Sequence, residues 1–402
     1  MSGFADAQAS VALSGKVVDR QDTRPLAGAS VTLKGRSIST IANDEGAFTF
    51  YIPNLYKGDT LRISVMGYEL HETPLATIDF EKPFLSKLDR STIALEEITI
   101  TESLGPDDIL KLAIEKIPVN FFSKPFVQKG FYREVQRDDG RYVSLLEAAL
   151  EIHNKSYQLN GQQVKVLQLR RSKAHRHVTH AFWDTYNVLH SARGLNTVGY
   201  ISRKSLKEYT LKREANTTLN DKPVFVLTSA APNLWPTKFY IQCDNFAFVR
   251  VEEMYDVSRD GVKSWKQHNS DTINVFPQTR KVIIEYKPLL GKYSLSMLSF
   301  SISMIYKGAQ SGNQLVEFTI FQDLMVNEIQ SEDVKPLRKE EVLRENVKLA
   351  DQLFPYDADF WKNYNIIQKT PLHDRIRRDL EKESILEKQF QNQSVKPSNP
   401  EK

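Results

Sequence analysis

Residues 299–306 read SFSISMIY, and that alternation limits the fold more than any other stretch of the chain. Phe300, Ile302, Met304 and Tyr306 share one parity and Ser299, Ser301 and Ser303 the other, the period of a strand with one apolar face. Leu295 and Met297 stand in the opposite phase, which predicts a β-bulge near Met297–Leu298. KGFYREVQRDDGRYVSLLEAALEIHNKSY reads as a hairpin turning at Asp139-Gly140. QVKVLQLRR, PVFVLTSAAP, KFYIQCDN, FAFVRVEEMYDV, RKVIIEYKP and LVEFTIFQDLMVNEI read as further strands. Ahead of them, GPDDILKLAIEKIPVNF changes period. Ile109, Leu112, Ala113 and Ile117 repeat at helical spacing, Asp107 and Asp108 sit where the helix dipole favours anions, and Pro118 follows. Residues 105–330 therefore predict a helix over 106–117 and one large curved antiparallel sheet with the helix on its concave side.

Residues 12–101 have shorter strands and denser turns. LSGKVVD, SVTLKG, AFTFYIP, DTLRISVMGYE and IALEEITIT are separated by Gly, Pro and Asp. Val31 and Leu33, Phe48 and Phe50, and Leu61, Ile63 and Val65 keep phase within their segments. Strands at roughly 8–12-residue spacing predict an all-β sandwich. Asn43-Asp44-Glu45-Gly46 lies between two of them. A calcium loop takes about six oxygen ligands at regular spacing, and only Asp44 and Glu45 are acidic here. An Asp that bonds its downstream backbone, with Gly at positive φ, predicts a tight β-turn instead.

These segments resemble the carboxypeptidase-regulatory-like domain. Its pattern is G-x-V-x-D, P-L-x-G-A-x-V, a D-x-G-x-F turn and L-x-x-S-x-x-G-Y. The chain meets it with Gly15, Val17, Asp19, Pro25, Leu26, Gly28, Ala29, Val31, Asp44, Gly46, Phe48, Leu61, Ser64, Gly67 and Tyr68. The resemblance implies a transthyretin-like sandwich, a folding and docking module without peptidase activity. Such modules stand at the front of envelope nutrient receptors, where a strand similar to LEEITIT leads onward. VFVLTSAAP followed by KFYIQCDNFAFVRVEEMY resembles an element of exported proteins with lipoprotein-carrier-like half-barrels. That implies a concave face able to bind an acyl chain or another apolar ligand; filled by the helix, the same face is only a core.

Signals for chemistry are few. H-E-x-x-H, G-x-S-x-G, G-x-G-x-x-G and P-loop patterns are absent from the sequence. Cys243, the single cysteine, excludes a disulfide framework and reads as a small buried apolar residue rather than a nucleophile. His175, His177 and His180 are the best metal candidates. Zinc needs three or four converging ligands, His180 falls on the other strand face, and Arg176 repels a cation, so a solvated basic loop is expected. Asp138-Asp139 and Glu252-Glu253 are strand neighbours that point to opposite faces, so neither is an acid/base pair. RRSKAHR with RKSLKEYTLKR offers positive charge to phosphate, but charge alone carries no specificity and a solvated surface is expected. Residues 105–330 hold 30 Lys+Arg against 22 Asp+Glu, spread over strands without a nucleic-acid motif; weak attraction to anionic lipid head groups is the secondary option. No catalytic, cofactor-binding or metal residue is assigned, and no cofactor is expected.

A length of 402 residues with 41% apolar side chains supports two or three folded domains. No run of about 18 apolar residues occurs. Strand patterns do not continue after residue 330, which argues against an outer-membrane barrel. Residues 1–11 read either as a flexible N-terminus or as a signal-peptide remnant, because Ala7-Gln8-Ala9 has the small-x-small form of a cleavage site. Beyond 330, Val342, Val347, Leu349 and Ala350 have helical spacing. Asp359-Phe360-Trp361 with Tyr364, Ile366 and Ile367 reads as an anchor packing onto the sheet. Residues 371–391 read as one charged helix, exposed or partner-binding, with Leu372, Ile376, Leu380 and Leu386. Residues 331–393 form a helical segment and 394–402 a disordered end. The FWKNYNII…LEKQF ending resembles that of exported proteins that join the sandwich to an uncharacterised β domain, which implies a complete C-terminus.

The sequence thus predicts a mainly β (α+β) protein: sandwich at 12–101, helix plus large antiparallel sheet at 105–330, C-terminal helices. The expected role is non-enzymatic binding or scaffolding in a Gram-negative envelope, in the periplasm or at the outer-membrane periphery, beside uptake or sorting machinery. That role comes mainly from the resemblance. The alternative is a carrier of lipid or another apolar ligand on the concave face. Expected partners are envelope proteins or an apolar ligand, with peripheral membrane contact and no nucleic acid.

Overall fold

The computed structural model describes residues 10–91, 104–157, 162–172, 210–231, 234–260, 268–269, 272–344, 349–366 and 371–392. The chain divides into two compact units. One is Met1–Glu97 with Asn216–Val224 and Asp357–Thr370; the other is Ile98–Ala215 with Phe225–Tyr356 and Pro371–Lys402. Among the described residues no helix is long and apolar enough to cross a membrane.

The first unit contains β1 (Ser10–Asp19), β2 (Ser30–Leu33), β3 (Ser39–Ile41), β4 (Ala47–Pro53), β5 (Thr60–Ser64), β6 (His71–Pro74) and β7 (Phe84–Leu88). They form two sheets, ordered β4-β1-β7 and β3-β2-β5-β6. Alternation turns Leu13, Val31, Leu33, Phe48, Phe50, Ile52, Leu61 and Ile63 into one shared core, with Val65 packed at its margin. IALEEITIT lies outside the described residues.

The Asn43–Gly46 turn is held by Asn43, where the sequence pointed to Asp44. Asn43 Oδ1 accepts from the N–H groups of Glu45 (2.9 Å) and Ala47 (3.0 Å). Gly46 has φ 71°, and a Cβ there would sit 2.2 Å from the Val17 carbonyl oxygen, so no side chain fits.

Two residues of the sequence pattern meet in space. Tyr68 donates its hydroxyl to Asp19 Oδ2 at 2.9 Å, and Arg90 Nε donates to the same oxygen at 2.7 Å. The Arg90 guanidinium, against burial and with help from the Gln21 N–H and the Tyr68 hydroxyl, holds the Asp19 carboxyl well below the usual carboxylate range. Two later segments complete this unit. The Thr218 carbonyl accepts from Gly67 N–H (2.8 Å), and Asp221 Oδ1 accepts from Leu70 N–H (2.9 Å). Trp361 is buried, Phe360 stacks on Tyr364, and the Asn365 amide clamps the backbone of Tyr51 on β4 through both its oxygen (2.8 Å) and its nitrogen (3.3 Å).

The remaining strands are β8 (Phe126–Asp138), β9 (Arg141–Asn154), β10 (Gln163–Arg171), β11 (Thr210–Arg213), β12 (Thr217–Leu219), β13 (Lys222–Ala231), β14 (Leu234–Gln242), β15 (Phe248–Asp256), β16 (His268–Asn269), β17 (Ile273–Leu289), β18 (Lys292–Gly308) and β19 (Gln314–Gln330). All belong to the second unit except β12 and the first residues of β13, to Val224, which belong to the first. Their order is β10-β9-β8-β19-β18-β17-β15-β14-β13-β11, with β16 beside β17 and β12 beside the first residues of β13. Asp139 (φ 45°) and Gly140 (φ 80°) make the β8–β9 turn. The bulge falls at Ser296, one residue before the expected pair: Tyr286 pairs with Leu295 and Glu285 with Met297.

Helices lie on both faces. Upstream are α1 (Pro106–Glu115) and α2 (Ile117–Asn120), and Phe121 meets Tyr286 of β17 edge-on at 5.2 Å. On the other face, α3 (Pro371–Leu380) and α4 (Leu386–Asn392) bury Ile376, Leu380, Leu386 and Phe390 against Val135, Tyr142 and Leu145. This corrects the reading of 371–391 as one exposed or partner-binding helix. It is two helices, and their partner is the chain's own sheet. Of the stretch with helical spacing from Val342 to Ala350, residues 345–348 lie outside the described residues and Leu349–Asp351 is a 3-10 turn; a short α-helix follows at Ala358–Asn363.

Two outcomes follow. Leu380→Ala removes a fully buried side chain and is expected to cost about 2–5 kcal/mol in urea unfolding of the second unit; an unchanged midpoint would show that the cluster does not hold α3. A carboxyl with a depressed pKa stabilises above its unfolded value of about 4 and loses that contribution as pH falls. Asp19→Asn is therefore expected to lower the stability of the first unit at neutral pH and to flatten its acid dependence, read by thermal unfolding from pH 7 downwards.

Candidate functional site

The second unit's sheet carries an unusual row of polar side chains. Gln128, Tyr132, Glu134, Gln136 and Asp138 share one face of β8 by parity, and all are buried. Glu134 pairs across the sheet with Gln322 of β19, and Gln322 with Phe300 of β18. Following the register on through β17 places Tyr286, and hence Phe121, on this same face. Glu134 accepts from Tyr132 Oη (2.9 Å), Gln136 Nε2 (2.7 Å) and Gln322 Nε2 (2.9 Å). Burial, and next the Glu134 carboxylate, push the Tyr132 hydroxyl pKa well up. Ile320, Leu324 and Leu146 flank this polar island as register partners of Gln136, Tyr132 and Glu134.

The opposite face of the same strands holds an ion cluster. Glu147 of β9, 1% exposed, is gripped by Arg133 (2.7 Å) and Arg170 (2.6 Å). Burial pushes its carboxyl up, and the two guanidiniums, Arg170 ahead of Arg133, outweigh it and hold the pKa at about 2. Arg170 also lies over the Phe390 ring of α4, 5.3 Å from its centroid. The sequence puts Arg170 in a basic patch expected to be solvated; it is instead a half-buried partner of Glu147.

The other sequence candidates are separated. Cys243 is buried, and desolvation pushes its thiol up to about 12, away from a reactive thiolate. Glu252 pairs with Arg250 and Glu253 with Arg280, on opposite faces of β15. Asp139 is a turn residue whose Oδ1 accepts from Glu317 N–H (2.9 Å). His175, His177 and His180 lie outside the described residues. Among the described residues no group of three or more His, Cys, Asp or Glu is placed to hold a metal ion. The sequence reading missed both the island and the Glu147 cluster. Its one signal was polar residues at every second position from Gln128 to Asp138, broken only by Gly130.

Residues 13–100 match the family model of the CarboxypepD_reg-like domain. No curated protein matches the chain. Among solved structures, the chain is similar to a putative outer membrane lipoprotein-sorting protein domain from Vibrio parahaemolyticus at 12% identity, over 57% of this chain and 94% of that one, with a TM-score of 0.25. A LolA superfamily protein from Nitrosomonas europaea matches at 13%, over 61% and 100%, with 0.23. The Pseudomonas aeruginosa MucA/MucB complex structure matches at 11%, over 57% and 99%, with 0.19. Scores of this size carry no functional argument, so function is argued from the side chains.

The Glu147 cluster makes a sharp expectation. Glu147→Ala leaves two arginine side chains, 12% and 13% exposed, without their carboxylate and is expected to cost about 3–5 kcal/mol. In the native protein this carboxyl's contribution is full above its unfolded value of about 4.3 and fades as pH falls towards about 2. Equilibrium unfolding of both proteins at pH 7 and pH 3 checks it; a gap that does not narrow at pH 3 would rule the cluster out as an acid-sensitive element.

Proposed function

We propose that this chain is a non-catalytic binding protein of the cell envelope, in the periplasm or at the outer-membrane periphery. The front sandwich serves as a docking module and the large sheet as the binding module. The state of the groups that would have to react supports this reading. Cys243 is desolvated towards the thiol, Glu147 is locked between two guanidiniums, and Glu252 and Glu253 are each paired on opposite faces. A nucleophile or general base needs a pKa tuned towards its task and room for a reacting atom. Cys243 and Glu147 are tuned the other way, and Glu252 and Glu253 are each engaged by an arginine. The envelope setting rests on the resemblance of the front domain to modules of envelope receptors.

A second reading, a carrier of lipid or another apolar ligand on the face that bears the island, is favoured by one observation. Gln136 Oε1 and Gln322 Oε1 are buried there without a hydrogen-bond partner. A finished core rarely leaves two acceptors so close together unmatched.

Purification from the native envelope fraction without detergent, followed by native mass spectrometry, separates the readings. A discrete increment of lipid size above 46.2 kDa is expected from a carrier. The bare mass would overturn a tightly held ligand and leave protein docking; a metal-sized increment would count against both.

A further inference from the structure

The polar island has a direction. The Tyr132 hydroxyl and the Gln136 and Gln322 amide nitrogens all turn towards Glu134. An amide that gives its nitrogen to one partner carries its oxygen on the other arm. Those oxygens, Gln136 Oε1 and Gln322 Oε1, belong to residues only 1% exposed, and neither has a hydrogen-bond partner. What the island presents beyond Glu134 is therefore carbonyl oxygen, from two adjacent strands. Buried acceptors without donors destabilise a fold, so they mark where a donor belongs.

The chemistry of that donor is constrained. An ammonium group has three N–H donors and no acceptor, whereas a hydroxyl brings lone pairs that the island has no use for. A positive charge also suits a place beside the Glu134 carboxylate, with Asp138 further along the same face of β8. The surroundings are apolar: Leu146, Ile320 and Leu324 flank the island, and Ile302 and Leu298 follow across β18. The geometry points to an ammonium-bearing amphiphile as the ligand of this face. Its N–H groups bond Gln136 Oε1 and Gln322 Oε1, and its alkyl chain lies along the neighbouring apolar residues. This inference rests on the carrier reading.

Calorimetric titration of the full chain with dodecylamine, dodecanol and dodecanoate, each below its aggregation limit at pH 7, tests it. The native protein is expected to bind the amine about tenfold more tightly than the alcohol, with the carboxylate weakest. In Gln136→Leu/Gln322→Leu the amine is expected to lose more affinity than the alcohol, so that its advantage shrinks to about twofold or less. Equal affinity of the native protein for amine and alcohol would overturn the ammonium assignment while leaving the carrier reading intact. No binding of any of the three would overturn both. An amine preference that survives in the double variant would remove Gln136 and Gln322 from the site. Near-UV circular dichroism checks that the variant is folded, and Gln322→Met alone serves if it is not.

Discussion

A carboxylate placed inside a β-sheet must be matched by donors, and much of this structure is arranged around that demand. Leaving such a charge without donors in a low-dielectric interior costs several kcal/mol, roughly what a domain has to spare. Asp19 meets the demand with Arg90, Tyr68 and its own downstream backbone N–H groups. Glu147 meets it with two arginines from the strands on either side of it. Glu134 meets it with neutral donors from β8 itself and from β19. Each solution fixes strand register, because shifting a strand by one residue would carry the carboxylate to the opposite face and away from its donors.

This gives the family pattern in the front unit a physical meaning. Asp19 and Tyr68 lie 49 positions apart in sequence and share a hydrogen bond, so the first and last parts of the pattern describe one buried contact. Gly46 belongs to the same logic, since its missing Cβ lets the turn close against the Val17 carbonyl. The pattern is thus a folding constraint.

The sandwich, the long hairpins, the bulge and α1 were legible in the sequence because each has a local cause: alternation, a turn pair, a phase change, an acidic first turn. The polar island was not. Both faces of β8 are covered, yet from Gln128 on its even positions are polar apart from Gly130 and its odd positions mix Val and Phe with Lys and Arg, so polarity does not mark the buried face as it does in a one-sided strand. The C-terminal helices were half legible. Ile376 and Leu380 are four apart, but Leu386 follows at six, which is off the helical period. That phase slip is where the helix breaks. The break is stabilised by contacts that spacing does not display: Glu381 Oε1 accepts from Leu386 N–H, and the Gln389 amide donates to the carbonyls of Leu380 and Ser384. Asn43 was missed for a simpler reason, because Asp and Asn serve equally well at the head of a turn and only the geometry selects one.

The two faces of β8 divide the work between them. Odd positions hold Val135 against the C-terminal helices and Arg133 against Glu147, and Phe390 of the helices lies against Arg170. Even positions hold the island. The helices therefore set how dry the Glu147 cluster is, and so how strongly its charges attract, but they do not cover Gln136 or Gln322. Occupancy of the island and docking of the helices act on opposite surfaces of one strand, whose backbone is fixed by hydrogen bonds to β9 and β19 on both sides. A strand so held has little freedom to twist in response to either event. The physical consequence is a strand whose two faces are fixed together: the ladders to β9 and β19 hold its backbone, the ion cluster and helices occupy one side, and the two amide oxygens of the island keep their places on the other.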